Sequence, residues 1–315
     1  MDEIDFKISM LLMENSRIPY KEFAEMFHIS VNSIHKRIKS LVDLKIIQGF
    51  KARLGFANFT NITNIVMFGI PNAKNKKELM DELGRNENIY KIIRASGNMF
   101  YIQAYIRNTS ELDYLVSYIR KTGDITELKV GIDRNSPIFP SDDKKNLSDT
   151  DYLIMYSLKN NSRKNISDIA SELNISTKTV SRRLENIIKS HLVQFYLEWY
   201  PDNSGQILSI IILKLKTELI INDTEFIDNL KKRYGSKIIS TWSFSNLPNI
   251  KLIKIWTETM RELQELESSL LSDERYESVE ITVLLYGKMY PIWIDKLLDE
   301  KIKEIDNESK KDINN

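Results

Sequence analysis

Ile4-Asp5-Phe6-Lys7-Ile8-Ser9-Met10-Leu11-Leu12-Met13-Glu14-Asn15-Ser16-Arg17 lies at the start of the chain, and its pattern returns 146 residues later. Asp5, Ile8, Leu12, Asn15-Ser16-Arg17, Ala24, Ile29-Ser30, Arg37 and Gln48 recur without a gap as Asp151, Ile154, Leu158, Asn161-Ser162-Arg163, Ala170, Ile175-Ser176, Arg183 and Gln194. A period of that length is one domain-sized unit, which indicates a duplicated module and not a solenoid of short repeats.

Within the first copy, Ile4, Ile8, Leu11 and Leu12 fall at helical spacing, and Pro19 prevents continuation of the helix beyond Asn15-Ser16-Arg17-Ile18. A short second helix carries Phe23, Ala24 and Phe27, with Ala24 small enough for two helices to approach closely. The turn after it needs a residue tolerant of left-handed backbone, and His28 and its counterpart Asn174 are both such residues. Ser30 and Ser176 are suited to cap a third helix. That helix turns Ile34, Ile38 and Leu41 inward, as Val180, Leu184 and Ile187 do in the second copy. Apolar strands follow at Ile46-Ile47-Gln48-Gly49-Phe50 and Leu192-Val193-Gln194-Phe195-Tyr196 and read as the start of a wing.

Downstream the periodicity predicts strand, helix, strand, strand, helix, strand in each half: strands at 62–70, 89–95 and 100–107 with helices near 76–86 and around Leu112 to Ile119, then an alternating strand at Leu128, Val130 and Ile132. The second half has the same order from Ile207 to Leu285. That is the ferredoxin-like split βαβ arrangement. The fold class read from the sequence is therefore α+β, with two winged helix-turn-helix domains each followed by a ferredoxin-like βαββαβ domain. The boundaries are 1–58 and 59–135, a Pro- and charge-rich linker at 136–147, then 148–203 and 204–304 with a C-terminal helix around Ile294, Leu297 and Leu298, and a disordered polar tail at 305–315.

The 315 residues are 42% hydrophobic and 28% charged, enough to bury two cores. There is no Cys, which excludes disulfides, thiolate metal sites and cysteine nucleophiles. The acidic start Met1-Asp2-Glu3-Ile4-Asp5 is unlike a signal peptide, and the apolar run from Ile207 to Leu213 is too short to span a bilayer, so a cytoplasmic protein without a membrane partner is expected. A net charge of +1 does not advertise a polyanion partner, but charge is locally segregated. Lys36, Arg37, Lys39 and Lys45 stand against Asp43 in the first third helix, and Lys178, Arg182, Arg183 and Lys189 against Glu185 in the second. Trp199, Trp242, Trp256 and Trp293 all fall in the second half, where core packing explains them better than a ligand pocket.

Ile4-Asp5, Asn15-Ser16-Arg17, Phe23-Ala24, Ser30, Arg37-Ile38, Leu41 and Ile46-Ile47-Gln48-Gly49-Phe50 together resemble the DNA-binding signature of the Lrp/AsnC family of prokaryotic transcription regulators. The resemblance implies a helix-turn-helix followed by a βαββαβ effector and oligomerisation domain; the duplication departs from the usual single copy. Lys45 and His191 stand where the family has a glycine after the third helix. It also implies a double-stranded DNA partner, read by Asn32, Ser33, Lys36 and Lys39 in the first copy and Thr177, Lys178, Ser181 and Arg182 in the second. For Arg37 and Arg183 a phosphate contact and an ion pair with Asp5 or Asp151 are equally open. Asn32 stands opposite Lys178 and Lys39 opposite Glu185, so unequal half-sites are expected. The family's effector loop corresponds to Ser96, Gly97 and Asn98, which keep its glycine but not its aspartate; Ser245-Asn246-Leu247-Pro248-Asn249 lacks both. Family members pair through the sheet domain, so a homo-oligomer and a pseudo-dimer within one chain are both expected arrangements.

Siroheme decarboxylases share this fold, which makes an enzyme the alternative. Chemistry of that kind would call for histidine in the sheet domain, yet His28, His35 and His191 all lie in the helix-turn-helix regions. The glycines form no phosphate-cradling cluster, and His28 with His35 lacks ligand spacing, so no catalytic residue, metal or cofactor is expected. A purely architectural DNA binder is the third reading.

Overall fold

The structure, a computed structural model, describes residues 1–134, 147–216 and 223–313. The first half forms α1 (Glu3–Glu14), α2 (Tyr20–Phe27), α3 (Val31–Asp43), β1 (Ile47–Leu54), β2 (Thr63–Gly69), α4 (Lys76–Leu83), β3 (Ile89–Ala95), β4 (Phe100–Ile106), α5 (Thr109–Gly123) and β5 (Lys129–Ile132). The second repeats the order with α6 (Asp149–Leu158), α7 (Ile166–Leu173), α8 (Thr177–Lys189), β6 (Val193–Trp199), β7 (Ile207–Leu215), α9 (Asp223–Tyr234), β8 (Ile238–Ser243), β9 (Ile250–Thr257), α10 (Met260–Leu271) and β10 (Tyr276–Met289), and adds α11 (Trp293–Ile313). No described helix is long and apolar enough to cross a membrane.

The described residues gather into two compact units, and each draws on both halves of the chain. One is made from Met1–Asn61, Ile138–Trp199 and Pro291–Asn315, the other from Ile62–Pro137 and Tyr200–Tyr290. In the helical unit β1 pairs antiparallel with β6, placing Phe50 opposite Leu197 and Lys51 opposite Tyr196. With a repeat of 146, that register puts a local two-fold axis between Phe50 and Lys51 on one strand and between Tyr196 and Leu197 on the other. Phe6, Ile8, Leu12, Ile34, Ile154, Leu158 and Val180 are fully buried beneath the helices, as the 3.6-residue pattern requires.

In the sheet unit each half forms four strands in the order expected of a split βαβ, β5-β2-β4-β3 and β10-β7-β9-β8. The fourth strand of the second copy is long, and its end pairs with β3 from Leu284↔Ala95 to Met289↔Lys91, joining the sheets. Residues facing α4 and α5, such as Ile65, Met67, Ile92 and Ile102, form one core, and Ile211, Leu213, Ile253 and Ile255 beneath α9 and α10 form another. The alternate residues of both sheets, among them Val66, Phe68, Tyr101, Ile210, Trp242, Phe244 and Leu252, form a third apolar layer.

The C-terminal helix, placed with the second sheet domain, belongs instead to the helical unit, where it packs on α6 and β1. Its stripe of Ile294, Leu298, Ile302 and Ile305 is buried there, and Trp293 sits edge-on to Phe59 at 5.0 Å between ring centres. For the same reason the tail assignment from 305 onward is corrected: the helix runs to Ile313. The linker assigned to 136–147 falls, apart from Leu147, outside the described residues.

Candidate nucleic-acid interface

The turn between the second and third helices of each copy is built as the residue types require. His28 (φ 54°) and Asn174 (φ 52°) adopt the left-handed conformation. Ala24 and Ala170, each at most 9% exposed, let the helices approach. The Ser30 hydroxyl then accepts from the Ser33 N–H at 3.1 Å, and that of Ser176 from the Thr179 N–H at 3.1 Å, fixing where α3 and α8 start. With Ile34, Ile38 and Leu41 inward, Asn32, Lys36 and Lys39 are exposed on the opposite side of α3; Thr177, Lys178, Ser181 and Arg182 are exposed on α8. Ser33 is half-buried, its hydroxyl 2.9 Å from that of Ser30, so it belongs to the cap as much as to the outer face. His35, not among the residues assigned to the DNA face from the sequence, is exposed between Asn32 and Lys39, its ring edge-on to Tyr20 at 5.2 Å. Its spacing of three and four from those neighbours was the available signal.

Arg37 and Arg183 stand apart from that set. The Arg37 guanidinium donates through Nη1 to Asp2 and Asp5, both at 2.7 Å, and Arg183 through Nη1 to Asp151 at 3.1 Å and the Ser148 hydroxyl at 2.7 Å. Hydrogen bonds donated first to Asp5 and then to Asp2 push the Arg37 guanidinium up from its ordinary value. Burial alone would raise Asp2, but the Asp5 N–H and Arg37 hold it below the usual carboxylate range. These arginines tie the recognition helix to the N-terminus of the first helix.

The Asn-Ser-Arg motif meets its own repeat. The hydroxyls of Ser16 and Ser162 lie 2.6 Å apart and buried. Arg17 donates to the carbonyls of Ser162 and, at 3.1 Å, Lys164; Arg163 donates to those of Ser16 at 2.7 Å and Ile18 at 3.0 Å. Arg163 also lies 4.4 Å from the Tyr20 ring centre and 5.6 Å from that of Phe50, and Arg17 5.7 Å from that of Phe195. Burial lowers both guanidinium pKa values, and for Arg17 the facing Arg163 lowers it further. The two helix-turn-helix motifs are thereby held in one frame.

In the sheet unit Gly97 (φ 67°) and Asn98 (φ 59°) form a left-handed turn, and the Ser96 hydroxyl accepts from the Val283 N–H of β10 at 3.0 Å. The matching loop of the second copy uses Asn246, whose amide accepts from the Ile132 N–H at 2.8 Å and donates to the Val130 carbonyl at 2.7 Å. Each loop between second and third strands thus docks on the fourth strand of the other copy. The four tryptophans are all buried, none more than 8% exposed. No group of three His, Cys, Asp or Glu residues among those described has an arrangement able to hold a metal ion.

Comparison with known proteins picks out the same regions. Residues 1–42 match the AsnC-type helix-turn-helix domain, and residues 147–194 match a winged helix-turn-helix DNA-binding model. The HTH-type transcriptional regulator LrpB of Bacillus subtilis is 31% identical over 107 residues, which cover 32% of this chain and 68% of that protein. An uncharacterized HTH-type transcriptional regulator of Pyrococcus furiosus is 29% identical over 97 residues, 31% of this chain and 66%, just under two thirds, of the relative. Among solved structures, the siroheme decarboxylase NirDL superposes with a TM-score of 0.56 over 96% of this chain and 99% of its own at 9% identity, a likeness of fold.

Proposed function

Because the chain belongs to the Lrp/AsnC family of transcription regulators, we propose that it is a sequence-specific regulator that binds double-stranded DNA through two recognition helices supplied by one chain. The observation that carries this reading is the seam of Ser16, Arg17, Ser162 and Arg163, which puts α3 and α8 into a single frame across a local two-fold axis. Duplex DNA offers its major groove to such a pair once per helical turn. Asn32, Thr177, Lys178 and Ser181 then read base edges, with Ser33 at the edge of that set, while Lys36, Lys39 and Arg182 grip phosphates. Arg37 and Arg183 support the helices from behind. The outer faces differ, because Glu185 is paired with Lys189 at 2.7 Å where the first copy presents Lys39, so the site read is unequal in its halves.

One chain suffices as the DNA-binding unit in this reading, acting in the cytoplasm, and further copies add through other surfaces. A small-molecule effector would approach at Ser96, Gly97 and Asn98, where Ser96 contacts β10 of the other copy. The test is selection of bound fragments from a genomic library at physiological salt, alongside a Lys36→Ala, Arg182→Ala double mutant. Enrichment of a defined asymmetric site that the mutant loses supports the proposal; no enrichment by the unmodified protein removes it.

The whole-chain likeness to a siroheme decarboxylase favours tetrapyrrole chemistry as the second reading. Against it, the sheet unit contains no imidazole, since His28, His35 and His191 are all in the helical unit. An absorbance titration with siroheme decides it: a shifted Soret band supports the enzyme, an unchanged spectrum excludes it.

A further inference from the structure

The two copies treat the arginine behind the recognition helix differently. In the first, Arg37 is met by two carboxylates, Asp2 and Asp5. In the second, the position equivalent to Asp2 is Ser148, so Arg183 is met by one carboxylate, Asp151, and a hydroxyl. The Arg183 Nε–H is left enclosed with no hydrogen-bond partner. A pocket of about 330 Å³ opens beside it, lined by Asp151, Arg182, Arg183, Asn186 and Ser190 among others. Arg182 is exposed and has no ion-pair partner among the described residues. Two guanidiniums against one carboxylate leave one positive charge over, where Lys36, Arg37, Asp2 and Asp5 of the first copy balance.

We propose that this pocket is a phosphate-type oxyanion site, formed by Arg182, Arg183 and Asn186 and present in the second copy only. A tetrahedral oxyanion offers acceptors to the free guanidinium fork of Arg182 and the Asn186 amide together, and supplies the missing negative charge beside Arg183. The volume exceeds that of an inorganic phosphate and admits a phosphomonoester. The same chemistry comes either from a free phosphate metabolite or from a phosphate of the DNA backbone, and Arg182 belongs also to the DNA face proposed above. A free anion held here therefore competes with DNA at the second half-site.

The full chain is titrated calorimetrically with inorganic phosphate at constant ionic strength, beside Ser148→Asp, which installs the solution the first copy already uses and keeps the α6 cap. The expected result is one phosphate bound per chain, weakened about tenfold or more in Ser148→Asp, with phosphate but not chloride displacing DNA. Should the protein bind no free phosphate, yet Ser148→Asp bind DNA about tenfold more weakly while Asn307→Asp on the exposed face of α11 does not, the anion is the DNA's own. Equal behaviour of wild type and Ser148→Asp towards both phosphate and DNA overturns the proposal. The phosphate arm uses no DNA, so its outcome is separate from that of the regulator reading.

Discussion

Ser16 and Ser162, 146 positions apart, bring their hydroxyl oxygens to 2.6 Å, the same separation in sequence as the repeat itself. A residue in contact with its own repeat lies close to a two-fold axis, and the β1–β6 register gives the same axis independently. The arginines beside these serines, Arg17 and Arg163, clamp the seam. Each reaches two carbonyls of the other copy, and its loss strands those acceptors in a buried seam. Arg17→Ala or Arg163→Ala should cost about 2 to 4 kcal/mol in urea unfolding. The double mutant should cost less than the sum, because each single mutant leaves one half-buried guanidinium without its counterpart's ordered carbonyls; strict additivity would mean that the two clamps do not communicate.

Lys45 holds a left-handed conformation, φ 57°, at the end of α3, while its N–H donates to the Val42 carbonyl at 2.9 Å. Its side chain is exposed and carries no part of the core. Lys45→Gly relieves the Cβ clash and should stabilise by about 0.5 to 1 kcal/mol after the extra unfolded-state entropy is subtracted. A lower melting temperature in the variant would count against it.

Tyr101 is fully buried in the layer between the sheets, its hydroxyl 2.8 Å from that of Thr282. Burial pushes its phenol up to about 12, from an unfolded value of 10.0. Between those values the folded state holds the proton more tightly than the unfolded one, so stability falls as pH rises from about 10 to 12, by about 2 to 3 kcal/mol in all. The Tyr101→Phe variant should lose that part of the alkaline decline. Identical pH profiles for the two proteins would show that another group is responsible.

Cations on the outer face and those behind it should behave oppositely. Lys36→Ala, Lys39→Ala and Arg182→Ala should each reduce the salt dependence of DNA binding by about one unit while leaving stability nearly unchanged. Arg37→Ala should keep the slope and lose about 1 kcal/mol or more of stability, since Asp2 and Asp5 lose their shared partner. Equilibrium binding across a salt series, with a denaturation curve for each variant, separates the two classes.

The helix-turn-helix was legible because its turn and caps are local: His28, Asn174, Ser30 and Ser176 need only their neighbours to fix their conformation. The order of sheet strands was legible for the same reason, from alternation within each strand. What could not be read was which strands meet across the repeat. The joining of β3 to the end of β10, and the capping of β5 by the Asn246 amide, depend on residues more than a hundred positions apart. The Asn-Ser-Arg motif was visible as a repeat, but its role at the seam required Ser16 to meet Ser162. The last helix was misplaced because Ile302 and Ile305 are widely spaced in polar sequence, and only the full stripe with Trp293 reveals a buried face. For Arg37 the two roles were equally open, and the position of Asp5 decides the geometry.

On the proposed reading, one chain addresses one DNA site through two unlike recognition helices. Hydroxyl-radical footprinting on the selected site, with stoichiometry taken from sedimentation of the complex, tests it most directly. The prediction is one chain per site and two protected segments, of which Lys36→Ala weakens one and Arg182→Ala the other. Two chains per site with a symmetric footprint, weakened evenly by either substitution, would contradict it.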